Sequence, residues 1–367
     1  MMSTINTSAA PGHRIRGKYS PIGIDFGSGR VKMLQLKQQR GNFHVHDKCH
    51  FPMPLETTPN SLIASTADPH LLLEQLRQAK HNCNWRGNRA CLSMDSRACY
   101  TRAISLPPLR TRELKEAVRW EVRKNFPFEI DNAVVSWAVL GNGSGPEQPG
   151  RRYLIASVQK TTADFYTAVA QKAGFKPVSL EIPLTALLRS VKLRPKGPDP
   201  DASKYQLLVD CGFSSTLVLL TVKGTYCFHR VLNLGAGHFY RAATGGKKGD
   251  LKAALRLVHS RASLAEKGLM VEASRLARAI SETLAYWSSL SHNDPVNPAV
   301  MEVSGGGILI PGLASYLYKE LGLKPRLYNP VHLINSVRVE NGTGSGNGFR
   351  ETLYTTAHGL TLRGWLK

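Results

Sequence analysis

The sequence lacks long apolar runs and closely spaced cysteines. The nearest approach to an apolar run, Leu207 to Val222, is interrupted by Asp210 and a Ser-Ser-Thr segment, so it falls short of the ~18–20 uncharged residues of a membrane-spanning helix. The six cysteines include no C-x-x-C pair, which predicts free thiols in a reducing compartment. Residues 1–19 are basic and have no continuous apolar core, so we expect a disordered tail and not a signal peptide.

Acidic residues are also scarce. The chain has 48 Lys and Arg against 26 Asp and Glu, a formal net charge of +22, which implies attraction to nucleic acid, anionic lipid or an acidic protein. Nucleic acid is disfavoured because the basic residues are not interleaved with stacking aromatics. Lys248, Lys252 and Arg256 recur at helical spacing, which indicates either a solvated helix face or contact with an anionic membrane surface.

The apolar pattern divides the chain into two similar halves. Three short alternating runs between Ser20 and Phe51 predict consecutive strands, and the same succession restarts at Gln206 after a connector rich in Pro and Asp. Helical patterns alternate with the strands. The sequence therefore predicts an α/β protein with a first half at 20–195 and a second half at 196–367, in keeping with ~100–200 residues per domain.

A duplicated glycine-rich signature carries the chemical information. In each half an aspartate ends a predicted strand, and a glycine follows at the turn of a hairpin. Glycine lets the backbone approach a ligand, successive turn N–H groups bind anions, and a strand-end aspartate can hold hydrated Mg²⁺. Two such hairpins facing each other would clamp the phosphates of a nucleotide, with Asp25 and Asp210 as the metal residues. The candidate binding residues are Asp25, Gly27, Ser28, Gly29 and Lys32 in the first half, and Asp210, Gly212, Ser214, Ser215 and Thr216 in the second.

A third glycine motif, Gly305-Gly306-Gly307, follows a predicted strand and precedes a predicted helix start at Pro311-Gly312. The missing side chains would make room for a flat adenosine. A single aspartate hairpin indicates no more than an ordinary tight turn. The ordered set of two hairpins and a triple glycine is a much more specific pattern, and it predicts a nucleotide site.

Three segments of the chain carry a resemblance to a known family. They are the opening Gly23 to Lys32, the stretch Ala117 to Glu121 with Phe126-Pro127-Phe128 after it, and the closing Ala357 to Gly364. With these segments the chain resembles the PilM family of type IV pilus assembly, within the actin-like ATPase superfamily that also contains FtsA. The resemblance covers Ile22 to Gly364.

The resemblance implies an actin-like ATPase fold of two α/β halves around a nucleotide cleft, with an inserted subdomain at about 107–180 of the PilM and FtsA type. It implies that the chain binds ATP and Mg²⁺ and holds the N-terminal peptide of a PilN-type inner-membrane protein. It further implies a cytoplasmic location, peripheral at the inner face of the cell membrane. Other pilus platform and motor proteins, and a second copy of the chain, are further implied partners.

Two positions suggest that binding outweighs hydrolysis. Lys32 stands seven residues after Asp25, as the phosphate-contacting lysine of actin does after its aspartate. Seven residues after Asp210, where actin has a water-positioning histidine, this chain has Leu217. We expect ATPase activity to be weak or absent. Glu181 is the one candidate for orienting an attacking water, and its alternative role is that of a helix-start carboxylate favoured by the helix dipole.

An apolar stripe on the predicted helix 111–125 is the candidate partner site. Val118, Val122 and Phe126 follow helical spacing, so they either belong to a core or line a groove for the PilN-type peptide. Two other functions compete with this interpretation. One is an FtsA-like or secretion-system actin-like protein, and the other is a small-molecule kinase, which would need an aspartate base that the sequence does not convincingly offer.

Overall fold

The computed structural model describes residues 18–39, 42–54, 67–127, 129–142, 150–192, 205–244, 264, 267–290, 298, 300–330 and 351–364. The basic stripe of Lys248, Lys252 and Arg256, most of the tail 1–19 and the predicted connector before Gln206 lie outside these ranges. No helix in these ranges is long and apolar enough to cross a membrane.

The described ranges contain thirteen β-strands and eight α-helices. The strands are β1 (Ile22–Phe26), β2 (Arg30–Gln39), β3 (Asn42–Pro52), β4 (Arg89–Ser93), β5 (Cys99–Leu106), β6 (Ala133–Asn142), β7 (Arg151–Gln159), β8 (Lys176–Glu181), β9 (Tyr205–Cys211), β10 (Thr216–Val222), β11 (Thr225–Leu232), β12 (Val300–Ser304) and β13 (Lys324–Leu327). The helices are α1 (Pro69–Asn82), α2 (Thr111–Asn125), α3 (Lys160–Lys172), α4 (Pro183–Lys192), α5 (Ala236–Ala243), α6 (Lys267–Leu290), α7 (Leu313–Leu321) and α8 (Thr355–Thr361).

The first sheet has the strand order β3-β2-β1-β4-β8. β1 to β3 form an antiparallel meander, and β4 and β8 run parallel to β1. Alternation along β1 sends Ile22, Ile24 and Phe26 to one face, where they pack against α1 and α3. The other face carries Gly23 and Asp25.

The second sheet repeats this arrangement in the order β11-β10-β9-β12-β13. Its central strand β9 pairs antiparallel with β10 and parallel with β12. Helices α5, α6 and α7 pack on one face of the sheet, and α4 packs on the other. The predicted repetition of the strand pattern therefore corresponds to two sheets of the same topology, and the α/β class predicted from the sequence is confirmed.

A third sheet, β5-β7-β6, is inserted in the chain between β4 and β8 of the first sheet. It packs with α2 around a small core of its own, centred on Val118, Trp137 and Ile155. The sheet and α2 occupy Cys99–Gln159, whereas α3 packs on the first sheet and β8 pairs within it. The expected interval of 107–180 thus includes two elements of the first half, because an apolar run does not reveal which sheet a strand will join.

Helices α4 and α8 connect the two halves. α8 follows the second sheet in the chain but packs against β1 and α4. Glycine permits the close approach: a Cβ at Gly23 would lie 2.2 Å from the carbonyl oxygen of Ala357, and one at Gly359 would lie 1.9 Å from that of Ala186. Residues 355–361 of the expected second half, 196–367, are therefore part of the packing of the first.

Candidate nucleotide-binding site

The two predicted hairpins face each other in the structure. The backbone N–H of Ser214 donates to Ser28 Oγ at 3.2 Å, and the two serine hydroxyls lie 2.7 Å apart. A Cβ at Gly29 would lie 2.6 Å from Cβ of Phe213, so glycine is needed where the hairpins meet. The structure thus brings together two glycine-rich turns that are far apart in the sequence.

Asp25 lies near the end of β1, buried, with both carboxylate oxygens engaged. Lys32 Nζ donates to Oδ2 at 2.7 Å and Ser93 Oγ donates to Oδ1 at 2.8 Å. Lys32 reaches the carboxylate because it is the cross-strand partner of Asp25 in the β1–β2 pair. A Cβ at Gly27 would lie 2.7 Å from the same ammonium nitrogen, so the glycine leaves room for this ion pair.

Asp210 occupies the equivalent position on β9. It is the register partner of Ser304 on β12, and Ser304 Oγ donates to its Oδ1 at 2.6 Å. Burial is the largest influence on the pKa of Asp210 and raises it, and the negative charge of Asp25 raises it further. The hydrogen bond from Ser304 and the charge of Lys32 lower this pKa, but the net shift is upward. The two aspartates are therefore close enough to interact electrostatically.

This arrangement fits a divalent cation. Two carboxylates lie at the ends of central strands, and the one ammonium beside them is paired with Asp25. This leaves Asp210 as a buried aspartate whose charged form is disfavoured. A bound cation would stabilise that charged form. Mg²⁺ is usually held by one or two carboxylates, waters and substrate phosphates, and no larger cluster of His, Cys, Asp and Glu suited to a metal occurs in the described part of the chain.

The triple glycine packs against the end of β9. Gly305 has a φ of +85°, and a Cβ there would lie 2.3 Å from the carbonyl oxygen of Cys211. A Cβ at Gly307 would lie 2.3 Å from Cys211 Sγ, and one at Gly306 would lie 3.2 Å from Leu353. Gly305 and Gly307 are therefore required by the contact of the loop with β9, which places the loop beside Asp210.

The second hairpin is fixed by the start of α5. The carbonyl oxygens of Gly212 and Phe213 accept hydrogen bonds from the N–H groups of Ala236 and Gly237, at 3.0 and 2.7 Å. Thr216 Oγ1 donates to the carbonyl oxygen of Leu234 at 2.7 Å. The Thr216 side chain therefore anchors the hairpin to the segment that leads into α5, and its predicted ligand contact stays a prediction. The N–H of Gly212 donates to the carbonyl oxygen of Ser215 across the turn.

Asp95 is a residue of this site that the sequence reasoning missed. It follows β4, and Ser214 Oγ donates to its Oδ2 at 2.9 Å. Arg97 also binds this carboxylate, with Nη2 at 3.0 Å from Oδ2 and its backbone N–H at 3.0 Å from Oδ1. β4 runs parallel to β1, so the carboxyl ends of both strands lie at one edge of the sheet. A strand-end aspartate beside the one of β1 was the available signal.

Glu181, the candidate water-orienting residue, is held in an ion-pair network. Arg363 donates to Oε1 at 2.8 Å, Thr185 donates to Oε2 at 3.0 Å, and Arg189 also pairs with Oε2. Burial raises the pKa of Glu181, but the charges of Arg189 and Arg363 outweigh it and hold the pKa below its usual value. A carboxylate of this kind is a poor proton acceptor. The geometry favours a role in joining β8, α4 and the segment after α8.

The candidate partner residues on α2 divide into two groups. Val118 and Val122 have no exposed surface and belong to the core of the third sheet, so neither can contact a peptide in this conformation. Phe126 is half-buried, and its ring packs edge-on against Tyr100 at a centroid distance of 6.4 Å. Tyr100 is 41% exposed. The predicted stripe is therefore a core stripe, with an accessible aromatic pair at its end.

Two sheets of the same topology and a pair of facing aspartate hairpins define an actin-like ATPase fold. Comparisons with known structures agree. A PilM–PilN type IV pilus biogenesis complex superposes with a TM-score of 0.78 at 22% sequence identity, over 95% of this chain and 99% of that chain. The ethanolamine utilization protein EutJ from Carboxydothermus hydrogenoformans superposes with a TM-score of 0.51 at 13% identity, over 95% of this chain and 91% of that chain.

The family follows from the sequence match. The model of the family described as type IV pilus assembly protein PilM matches residues 23–365. The chain belongs to this family, as the segments quoted from its sequence indicated.

Proposed function

We propose that this chain is a nucleotide-binding scaffold of the type IV pilus inner-membrane assembly platform. It binds Mg-ATP between its two halves and holds the N-terminal cytoplasmic peptide of a PilN-type membrane protein. Its place is the cytoplasmic face of the inner membrane, to which the peptide attaches it. The observation that carries the nucleotide part is the convergence of Asp25, Lys32 and Asp210 beside two facing glycine-rich turns.

Each group in this cleft has a role in binding the nucleotide. Asp25 and Asp210 would hold Mg²⁺, which supplies charge neutralisation for the phosphates when it is bound. Lys32 adds a positive charge already positioned by Asp25. The hydroxyl groups of Ser28 and Ser214 lie where the hairpins meet and would be available to donate to phosphate oxygens. The triple-glycine loop borders the cleft on the side of β9.

Calorimetric titration with Mg-ATP tests this assignment. Asp210→Ala removes a carboxylate from the cleft and is expected to abolish measurable ATP binding. Asp164→Ala serves as the matched control, because Asp164 is an exposed aspartate of α3, paired with Lys160, outside the cleft. If Asp210→Ala binds ATP with the affinity of the unmodified protein, the phosphate clamp is wrong.

The partner part of the proposal rests on the family and on the accessible aromatic pair. The solved PilM–PilN complex is a structure of a related protein with its partner. In this chain, Tyr100 and Phe126 lie on the inserted subdomain, close to where it joins the first half through Met94, Val158 and Ala163. Aromatic side chains that are partly exposed beside an interdomain junction suit an apolar peptide anchor.

A further inference from the structure

One end of the first sheet carries a concentration of basic side chains. The parallel strands β4 and β8 begin there with Arg89 and Lys176, which are register partners. The end lies opposite the nucleotide cleft, because Asp25, Asp95 and Glu181 all lie at the carboxyl ends of β1, β4 and β8. We call it the amino-end basic patch. It consists of six exposed cations, Lys18, Arg77, Arg86, Arg89, Lys172 and Lys176.

Contacts between neighbouring elements hold these side chains on one surface. Arg77 of α1 donates from Nη2 to the carbonyl oxygen of Lys172 at the end of α3. The N–H of Lys176 donates to the carbonyl oxygen of Asn88, one residue before β4. Both main-chain polar groups of Arg86 are bonded to the buried Gln35 side chain of β2. Hydrogen bonds therefore hold the backbone of the patch in place, and all six basic residues are exposed.

No described carboxylate forms an ion pair with the positive charges of the patch. Within the described ranges, no carboxylate lies within 4.0 Å of any of the six cationic groups. Asp47 lies at this end of the sheet, but its carboxylate accepts hydrogen bonds from the N–H groups of Lys48 and Asn84. Uncompensated charges at such spacing produce a field that attracts a polyanion.

The surroundings of the patch indicate which kind of anionic partner it can bind. The most exposed aromatic side chains, Tyr100, Trp120, Tyr286 and Tyr318, lie on the inserted subdomain and the second half. Tyr19 and Trp85 adjoin the patch in the chain, and both are half-buried. The Tyr19 ring packs edge-on against His46, and Trp85 donates its indole N–H to the carbonyl oxygen of Ala79. The patch thus offers no stacking platform for single-stranded nucleic acid. A second copy of this chain is equally unsuited, since its net charge of +22 is repulsive.

We propose that the amino-end basic patch binds the anionic phospholipid headgroups of the membrane. A planar array of phosphates requires positive charge without a groove or an aromatic anchor, and each basic residue near such a surface adds a roughly fivefold gain in binding. The proposal rests on the proposed function in one respect: the peptide partner places the chain next to a lipid surface. The membrane contact then orients the molecule, with the nucleotide cleft directed away from the bilayer.

Vesicle flotation with the full chain tests this proposal. The vesicles contain phosphatidylcholine alone or phosphatidylcholine mixed with phosphatidylglycerol. The test variant combines Arg86→Gln, Arg89→Gln, Lys172→Gln and Lys176→Gln. The control variant combines Arg230→Gln, Arg241→Gln, Lys319→Gln and Lys324→Gln, which removes the same charge from exposed positions of the second half.

We expect the unmodified chain and the control to float with the mixed vesicles and not with phosphatidylcholine, in a salt-sensitive manner. The test variant is expected to bind at least about a hundredfold more weakly. Loss of binding in both variants would show that net charge alone decides binding, and it would overturn the proposal. Failure of the unmodified chain to bind the mixed vesicles would also overturn it. Tighter binding to a DNA duplex or to polyglutamate than to the vesicles would assign the patch to another class of partner.

Two further measurements distinguish this proposal from a loss of folding and from the proposed function. Melting curves must match between the variants, and if the test variant unfolds early, the milder pair Arg89→Gln with Lys176→Gln is used under the same criteria. Titration with the PilN-type peptide in the absence of lipid is run in parallel. A chain that binds vesicles but not the peptide contradicts the proposed function alone, and a chain that binds the peptide but not vesicles contradicts the patch alone.

Discussion

Ser214 of the second hairpin donates a hydrogen bond to Asp95 of the first half, with 2.9 Å between Oγ and Oδ2. The contact crosses from one half of the molecule to the other at the place where the phosphates of a nucleotide would bind. Asp95 also caps the short 3-10 turn Ser96–Ala98 that leads directly into β5 of the inserted subdomain. A carboxylate therefore lies beside the second hairpin of the proposed phosphate clamp.

Removing this negative charge is expected to strengthen nucleotide binding. In Asp95→Asn, the repulsion between carboxylate and phosphates disappears and the guanidinium of Arg97 is released from its ion pair, so ATP affinity should rise by about tenfold, or ~1.4 kcal/mol. Calorimetric titration measures the change. Asp131→Asn, on an exposed part of the inserted subdomain, should leave the affinity unaltered. A weaker affinity in Asp95→Asn would mean that the carboxylate assists binding.

Glu181→Gln is expected to act on stability and not on catalysis. The substitution leaves Arg189 and Arg363 without their shared carboxylate. Breaking a buried ion pair lowers the free energy of unfolding by about 3–5 kcal/mol. Because Arg363 is more exposed than Glu181, we expect a loss at the lower end of this range. Urea unfolding measures the loss. If stability is unchanged while ATP turnover falls, Glu181 is a water-orienting residue after all.

ATP turnover is expected to be slow. Leu217 takes the place of a water-positioning histidine, and its side chain is buried between the second sheet and α4, in contact with the cluster of Leu184 and Leu208. Phosphate release should therefore remain far below the ~10 per second of a typical enzyme. A purified sample that reaches this rate would falsify the prediction, provided that the Asp210→Ala variant, measured as a background control, is inactive.

Acidification is expected to weaken the fold through His229. Its ring nitrogens form hydrogen bonds with the hydroxyl groups of Thr101 of β5, at 2.7 Å, and of Tyr226, at 2.9 Å. Burial lowers the pKa of His229 to about 4. The unfolded chain takes up the proton near pH 6.5 and the folded chain does not, so stability falls as pH decreases from 7 to 5, by about 2 kcal/mol for this group. Thermal unfolding of His229→Gln should show a smaller decrease over that interval. An equal decrease would place the pH dependence elsewhere.

Peptide binding and stability are expected to separate on α2. Val122→Ala removes buried methyl groups and should lower the free energy of unfolding by about 1–3 kcal/mol, with no change in affinity for the PilN-type peptide. Tyr100→Ala removes an exposed ring and should lower the affinity for the peptide at least tenfold, with a smaller effect on the free energy of unfolding. Titration and urea unfolding measure both quantities. The reverse result would return the peptide site to the buried stripe.

Local patterns predicted a large part of this molecule. The strand-end aspartates and turn glycines of both hairpins are signals carried by a few adjacent residues, and the structure places Asp25, Lys32 and Asp210 together as the repeated pattern suggested. Asp95 was missed because its importance depends on β4 lying beside β1, a pairing between strands more than sixty residues apart in the chain. The nucleotide role of these residues stays a prediction.

Long-range contacts also explain the remaining differences. Val118 and Val122 follow helical spacing whether their face meets a core or a partner, and only the position of the third sheet decides between these outcomes. Glu181 is satisfied by Arg363, which arrives from the other end of the chain. The hydroxyl of Thr216 donates to a backbone acceptor, Leu234, in the segment before α5, a contact that its local sequence does not reveal.

The position of α8 imposes an order on folding during synthesis. β2 leaves the ribosome early, yet its Leu34 and Leu36 pack against Tyr354, Ala357 and Leu362, which are translated only after the whole second sheet. Contacts between such distant residues form late, because a large loop must close first. The first half thus has an uncovered apolar face until the second half has been made. A nascent chain stalled before α8 is therefore expected to bind chaperones and to aggregate, even though every candidate nucleotide-site residue has already been synthesised.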